Sequence, residues 1–155
     1  MAAAPDDGTD RRLLAVLMAD GRATLATLAA AAGLSVSAAQ ARVRRLEARG
    51  IVTGYTARVS PESVGLPLTA FVAITPLDPA QPDDAPEKLA GIAAIEGCWS
   101  VAGEASYQLL VRVASPQALE ILLRTIRATA NVHTRSTVVL QTFYDNRPLD
   151  VGRAD

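Results

Sequence analysis

The residues best suited to hold a partner molecule lie between positions 35 and 49. This segment is rich in arginine and has no acidic residue before Leu46. Arginine pairs with phosphate groups and guanine edges, and glutamine pairs with adenine. Small residues would let a helix backbone enter the major groove of DNA, which is about 12 Å wide. The segment predicts contact with double-stranded DNA through Ser35, Ser37, Ala38, Gln40, Ala41, Arg42, Arg44 and Arg45.

Two helices ahead of this segment are needed to position it. The apolar spacing within residues 13–18 predicts a first helix, which Thr9 or Asp10 would cap and which would end near residue 19. Thr24 predicts the cap of a second helix, and Gly33 predicts its left-handed end.

The arginine-rich segment itself is predicted to form the third helix. Ser35 supplies an N-cap, and one stripe is spaced for burial, namely Val36, Ala39, Val43 and Leu46. Two helices joined by a glycine-containing turn, the second with a polar outward face, are typical of a helix-turn-helix. Residues 51–59 then predict a strand-like stretch, which would make the domain winged-helix-like.

A different fold could carry the same arginines. An ordinary three-helix bundle with a solvated basic face would show the same spacing of apolar and basic residues as a helix-turn-helix. The glycine turn, the serine cap and the missing acidic residues favour the helix-turn-helix. Outside the third helix, Arg22 is predicted to contact the DNA backbone, and Arg58 is a weaker candidate for the same role.

The second half of the chain predicts a different architecture. Strands are expected at 68–75, 98–102, 107–114 and 132–144, and helices at 87–95 and 116–130. The order β-α-β-β-α-β is that of ferredoxin-like domains. The predicted fold class is therefore α+β. The predicted domains are a helix-turn-helix domain at 1–60, a linker at 61–67, a ferredoxin-like domain at 68–145 and a C-terminal tail at 146–155.

Composition excludes several classes of protein. Residues 1–60 hold eight arginines against five acidic residues (+3), whereas residues 61–155 hold seven basic against eleven acidic residues (−4). The single cysteine and single histidine exclude an internal disulfide and a multi-imidazole metal site. The sequence does not indicate an enzyme, because it shows no paired carboxylate with a base, no Ser/His pair and no phosphate loop. With neither a membrane-length apolar run nor a secretion signal, we expect a cytoplasmic protein.

Four motifs of the first half are distinctive in combination: Asp20-Gly21-Arg22-Ala23-Thr24, Gly33-Leu34-Ser35-Val36-Ser37, Arg42-Val43-Arg44-Arg45-Leu46-Glu47 and Gly50-Ile51-Val52-Thr53-Gly54-Tyr55. With these motifs the chain resembles the Lrp/AsnC (feast/famine) family of transcriptional regulators, most closely actinobacterial members concerned with amino-acid metabolism. The likeness spans about residues 7–143. The second half resembles the effector-binding RAM domain of that family in element order.

The resemblance implies a sequence-specific regulator of amino-acid metabolism, with double-stranded DNA, an amino-acid effector and copies of itself as partners. Members dimerise through the sheets of their C-terminal domains, and their dimers often assemble into octamers. No cofactor or metal is implied beyond the small amino-acid effector. An architectural DNA-binding protein that ignores effectors is the alternative, because the same DNA-binding residues would serve it.

The family's effector loop has a glycine followed three residues later by an aspartate. Gly103 matches the glycine here, but Ser106 replaces the aspartate. Backbone N–H groups around Gly103 could hold a carboxylate, and Glu104 an ammonium group. The predicted site comprises Ser100, Val101, Ala102, Gly103, Glu104, Ser106 and Tyr107, with Thr134 and Ser136 from a neighbouring subunit. The alternative is a tight turn that binds nothing.

Overall fold

A computed structural model describes residues 7–151. The chain divides into two compact units. One unit runs up to Arg58 and also contains the segment from Tyr144 onward, and the other is Val59–Phe143. We describe each unit by itself.

Three helices form the first unit: α1 (Gly8–Ala19), α2 (Leu25–Ala32) and α3 (Val36–Ala48). Their shared core is aliphatic and consists of Leu13, Leu14, Leu28, Ala29, Ala32, Ala39, Val43 and Leu46. The predicted buried stripe of α3 is wrong at Val36, which is 49% exposed. Val36 is the first residue of α3, where the side chain projects beyond the neighbouring helices.

The cap of α1 differs from the prediction. Asp7 is the N-cap, and its carboxylate accepts a 2.9 Å hydrogen bond from the backbone N–H of Asp10. Asp10 lies inside the helix and is completely buried. The sequence showed several residues able to cap the helix. It did not show that the carboxylate of Asp10 forms ion pairs with α3, a helix far along the chain.

The residues after α3 form no strand in the described chain. Gly50 ends the helix with a positive φ of 67°, and the side chains of residues 53–60 are exposed. The prediction of a strand-like stretch at 51–59 is therefore wrong for the single chain. A strand needs a hydrogen-bonding neighbour, and the described residues provide none here. Tyr55 instead donates a 2.8 Å hydrogen bond to Glu47 on α3.

The second unit has the predicted β-α-β-β-α-β order. After a short 3-10 helix (Glu62–Val64) come β1 (Leu68–Pro76), α4 (Ala85–Leu89), β2 (Ile95–Ser100), β3 (Tyr107–Val113), α5 (Pro116–Ala130) and β4 (Val132–Val138). The strands form one antiparallel sheet in the order β2-β3-β1-β4.

Three elements of this unit differ from their predicted boundaries by more than one residue. The predicted helix at 87–95 is shorter and begins earlier, because Pro86 occupies its first turn. Strand β2 begins at Ile95 rather than at Cys98. The last strand ends at Val138 rather than at 144: its register with β1 stops at Ala70, after which the backbone N–H of Val139 donates a 2.9 Å hydrogen bond to the Thr69 carbonyl. The apolar residues past Val138 resemble strand residues in composition alone.

The sheet of the second unit has two unlike faces. One face packs against the helices and carries the core, which includes Val72, Ile74, Leu109 and Val111. Residues that point to the other face alternate with the core residues along each strand. There Phe71 is 43% exposed and Trp99 is 51% exposed, so a large apolar surface of the single chain faces solvent.

Candidate functional site

The outward face of α3 is the first candidate site. Ala39, Val43 and Leu46 are buried, so the opposite side of the helix is turned to solvent. That side carries the exposed residues Ser37, Ala41, Arg44, Arg45 and Ala48. Small residues at its centre and arginines beside them are what a helix needs to enter a major groove and contact phosphates.

The start of α3 is fixed by local hydrogen bonds. The Ser35 hydroxyl accepts a 3.2 Å bond from the backbone N–H of Ala38, as the predicted N-cap should. The hydroxyls of Ser35 and Ser37 lie 3.2 Å apart. Gly33 makes the preceding turn with a φ of 68°, a conformation that favours glycine.

Two predicted DNA-contacting arginines are paired inside the unit. Arg42 contacts the carboxylates of Asp10 at 2.8 Å and of Asp7 at 3.0 Å. Arg45 contacts Asp10 at 3.3 Å through its Nη2 atom. The side chain of Arg42 is 27% exposed, and that of Arg45 is 44% exposed. Arg42 is thus turned toward α1, whereas Arg45 also reaches the outward face.

These contacts shift two ionisation equilibria. The backbone N–H of Asp10 and the guanidinium of Arg42 lower the pKa of the Asp7 carboxyl below its usual value. The hydrogen bonds that Arg42 donates to the carboxylates, first that of Asp10 and next that of Asp7, raise the pKa of Arg42. The sequence did not predict that Asp7 and Asp10 pair with arginines of α3. The only available signal was that several acidic residues, including Asp7 and Asp10, precede Leu13.

The other predicted DNA contacts are arranged less uniformly. Arg44 is exposed, and no ion pair to it is found in the part of the chain that the structure describes. Ala38 and Gln40 are half-buried on the flanks of α3. Arg22 is exposed in the turn before α2, where its backbone N–H donates to Asp20. Arg58 donates a long, 3.4 Å bond to the carbonyl of Asp145.

The second candidate site is the loop between β2 and β3. Its ends are closed by backbone hydrogen bonds from Val101 to the Ser106 carbonyl (3.1 Å) and from Ser106 to the Ile74 carbonyl (3.0 Å). Gly103 has a φ of 146°, which L side chains rarely adopt, and open space surrounds the position of a Cβ atom there. The glycine is therefore required by the backbone rather than by crowding.

Two cavities adjoin this loop and divide the predicted effector residues between them. The smaller, about 240 Å³, is lined by Ala73, Thr75, Glu104, Ala105, His133, Thr134 and Arg135. The larger, about 500 Å³, is lined by Thr75, Pro76, Pro79, Gln81, Asp83, Ser100, Val101, Ser106 and Tyr107. Ala102, Gly103 and Ser136 line neither cavity.

The residue predicted to bind the ammonium group of the effector, Glu104, already has a partner. Glu104 accepts a 3.0 Å bond from Arg135, and both side chains are about four-fifths exposed. Thr134 and Ser136 pair with Ile74 and Val72 in the sheet, which places their side chains on the helix-facing side. There the Thr134 hydroxyl accepts a 2.9 Å bond from Arg127 of α5.

Tyr107 is one of the residues that line the larger cavity. It is buried, and its hydroxyl donates a hydrogen bond to Asp83. This hydrogen bond, together with burial, raises the pKa of Tyr107 to about 12. Tyr107 therefore offers the cavity an aromatic side chain whose polar end is held by Asp83. Asp83 was not predicted as a site residue.

Other site classes find no support in the described residues. They hold no group of three or more His, Cys, Asp or Glu side chains arranged to bind a metal ion. None of the helices between residues 7 and 151 is long and apolar enough to cross a membrane. The two candidate sites are therefore a helix face suited to DNA and a loop bordered by small cavities.

A helix-turn-helix unit followed by a ligand-binding α+β unit defines a class of DNA-binding transcriptional regulators, and comparisons with known proteins identify the family. Residues 7–47 match the AsnC-type helix-turn-helix domain, and residues 69–149 match the Lrp/AsnC ligand binding domain. The chain belongs to the Lrp/AsnC family of transcriptional regulators, whose named relatives are regulators rather than enzymes.

One relative is the HTH-type transcriptional regulator LrpA of Mycobacterium tuberculosis. It is 67% identical over 141 residues, which cover 91% of this chain and 94% of the relative. A solved feast or famine regulatory protein from M. tuberculosis, complexed with L-methionine, is 67% identical with a TM-score of 0.89, covering 91% of this chain and 96% of that chain. A Neisseria meningitidis regulator, also complexed with L-methionine, is 32% identical with a TM-score of 0.84, covering 92% and 95%.

Proposed function

We propose that this chain is a sequence-specific DNA-binding regulator of amino-acid metabolism whose DNA affinity changes when a small amino acid binds beside the loop at 101–106. The outward face of α3 carries the proposal. Ser37 and Ala41 are small enough for close approach to base pairs, and Arg44 and Arg45 flank them on the exposed side. Arg22 and Arg58 are proposed as contacts to the DNA backbone.

An amino acid suits the chemistry of the loop. The backbone N–H groups near Gly103 would receive its carboxylate, and Glu104 would receive its ammonium group in place of Arg135. Cavities of about 240 and 500 Å³ are of the size that a single amino acid fills. The two relatives solved with L-methionine support this class of effector.

The open face of the sheet supports self-association. Phe71 and Leu110 are directly paired across β1 and β3, and Trp99 lies on the same face of β2. Exposed apolar surface of this kind is typical of an interface. We propose that it pairs with the same face of a second copy to form a homodimer, from which octamers are built.

Selection from a pool of randomised DNA duplexes tests the DNA-binding proposal. The full chain should enrich one duplex sequence, and its affinity for that duplex should fall steeply with salt because phosphate contacts dominate. A chain that enriches no sequence would contradict sequence-specific binding. Arg124→Ala is the control variant for substitutions of arginine in α3. Because Arg124 is an exposed arginine on α5, outside the proposed interface, this variant should enrich the same duplex.

The ion pair of Glu104 gives the architectural alternative one specific support. Because Arg135 already occupies the carboxylate, an effector's ammonium group must compete with it. Thermal unfolding in the presence of each of the twenty amino acids separates the two functions. If one amino acid raises the melting temperature of the wild type but not that of Gly103→Val, the effector-regulated function is supported. If none raises it, the architectural function is favoured.

A further inference from the structure

A buried carboxylate outside α3 contacts two of that helix's arginines. Asp10, on α1, is completely buried, and it reaches both Arg42 and Arg45. A buried carboxylate needs charged partners or hydrogen bonds, because burial otherwise disfavours its charge. The carboxylate therefore restrains both guanidinium groups, although it belongs to another helix.

The two arginines differ in their exposure to solvent. Arg42 is held by two carboxylates at 2.8 and 3.0 Å and is mostly covered. Arg45 follows Ala41 by one turn, so the two side chains share the outward face of α3. Arg42 therefore completes the interior of the unit, whereas Arg45 connects the buried carboxylate with the surface that would meet DNA.

We propose that Asp10 is a positioning residue for DNA recognition, which restrains the guanidinium of Arg45 on the outward face of α3 before DNA binds. The inference rests on the proposed DNA-binding function. A long side chain that is ordered only on binding weakens association by a factor of about two to ten. In this chain, the ordering of Arg45 is completed when the unit folds.

A charge-balancing role of Asp10 would have the opposite sign. If Asp10 only offset the positive charge of α3, its neutralisation would strengthen binding to DNA of any sequence. Positioning predicts weaker binding to the selected duplex instead. The direction of the change therefore separates the two roles.

A double-mutant cycle on DNA affinity tests the proposal. The full chain and its Asp10→Asn, Arg45→Ala and doubly substituted variants are titrated with the duplex that the wild type enriches, and with a random duplex of equal length. Asp10→Asn should weaken binding to the enriched duplex by about two- to tenfold, with no loss on the random duplex. In the Arg45→Ala background, the same substitution should change nothing.

Asp7→Asn is the matched control. Asp7 is a half-exposed carboxylate that contacts Arg42, and asparagine preserves an N-cap. Its affinity for the enriched duplex should equal that of the wild type. An equal loss in both arginine backgrounds, unchanged binding in Asp10→Asn, or tighter binding to both duplexes would overturn the proposal.

A second pair of variants applies if Asp10→Asn does not fold. Arg45→Lys keeps the charge but loses the planar fork that spans carboxylate and DNA, and Arg44→Lys makes the same change at a neighbouring exposed arginine. Arg45→Lys should lose more of the preference for the enriched duplex, and equal losses would overturn the proposal. If the wild type enriches no duplex, the proposed function itself fails and this inference fails with it.

Discussion

Two arginine–carboxylate pairs, one in each unit, have similar distances but opposite environments. Arg45 contacts Asp10 at 3.3 Å, and Arg135 contacts Glu104 at 3.0 Å. Asp10 is completely buried, whereas Glu104 is about four-fifths exposed. A buried carboxylate holds its partner because water cannot replace that partner, and an exposed one exchanges readily. The first pair suits a fixed recognition surface, and the second suits a site that a ligand must enter.

The largest expected effect is on the stability of the first unit. Asp10→Ala should lower the free energy of unfolding by about 2–3 kcal/mol, less than for a fully enclosed pair because Arg42 and Arg45 can regain water. Asp7→Ala removes the N-cap and should cost about 1 kcal/mol. Urea unfolding at fixed protein concentration measures both. Equal losses would show that the burial of Asp10 has no special effect.

The next effect is on DNA affinity. Arg45→Ala should weaken binding to the enriched duplex about tenfold, since a good side-chain contact to a base edge is worth about 1–3 kcal/mol of discrimination. Fluorescence anisotropy with labelled duplex measures the change. Sedimentation of the variant should show an unaltered oligomer. Unchanged affinity would remove Arg45 from the proposed interface.

A third variant affects the loop at 101–106. Gly103→Val places a β-branched residue at a φ of 146°, at a backbone cost of about 1–3 kcal/mol. The loop should rearrange, and the amino-acid response of DNA binding should disappear while binding without effector persists. Titration of the preformed DNA complex with L-methionine, the ligand of two relatives, provides the measurement. An intact response would place the effector elsewhere.

Tyr107 predicts a change confined to high pH. Its pKa is raised to about 12 by the hydrogen bond to Asp83 and by burial. The neutral hydroxyl is therefore favoured in the folded state, and its stabilising contribution is complete below pH 10 and declines between pH 10 and 12. The stability difference between the wild type and Tyr107→Phe should shrink over that interval in urea unfolding. A constant difference would exclude the hydrogen bond as its source.

The smallest effect is expected for Glu104→Ala. Because the pair with Arg135 is exposed, the free energy of unfolding should stay unchanged within error. Its comparison with Asp10→Ala measures directly how much burial matters. A loss as large as that of Asp10→Ala would contradict the contrast between the two pairs.

The element order of both units could be predicted because it rests on local signals. Thr24 and Ser35 each cap a helix as their positions suggested, and Gly33 ends α2 in the left-handed conformation. The strand predicted at 107–114 is β3, which spans Tyr107–Val113. Caps, turns and periodicity are properties of a few neighbouring residues, so the sequence alone contains them.

The pairings of the candidate sites could not be predicted, since they join residues far apart in the chain. Asp10 reaches Arg45 across 35 positions, and Glu104 reaches Arg135 across 31. No local pattern distinguishes an aspartate that caps α1 from one that is buried against α3. The length of the last strand was missed for the same reason, because its end is decided by its partner β1.

The central claim is that the outward face of α3 contacts DNA. Hydroxyl-radical labelling with mass spectrometry measures side-chain accessibility in the free protein and in its complex with the enriched duplex. Labelling of the half-exposed Val36 and of the rest of α3 should fall on binding, while that of the exposed Ile121 on α5 should stay constant. Undiminished labelling of α3 in a saturated complex would contradict the account.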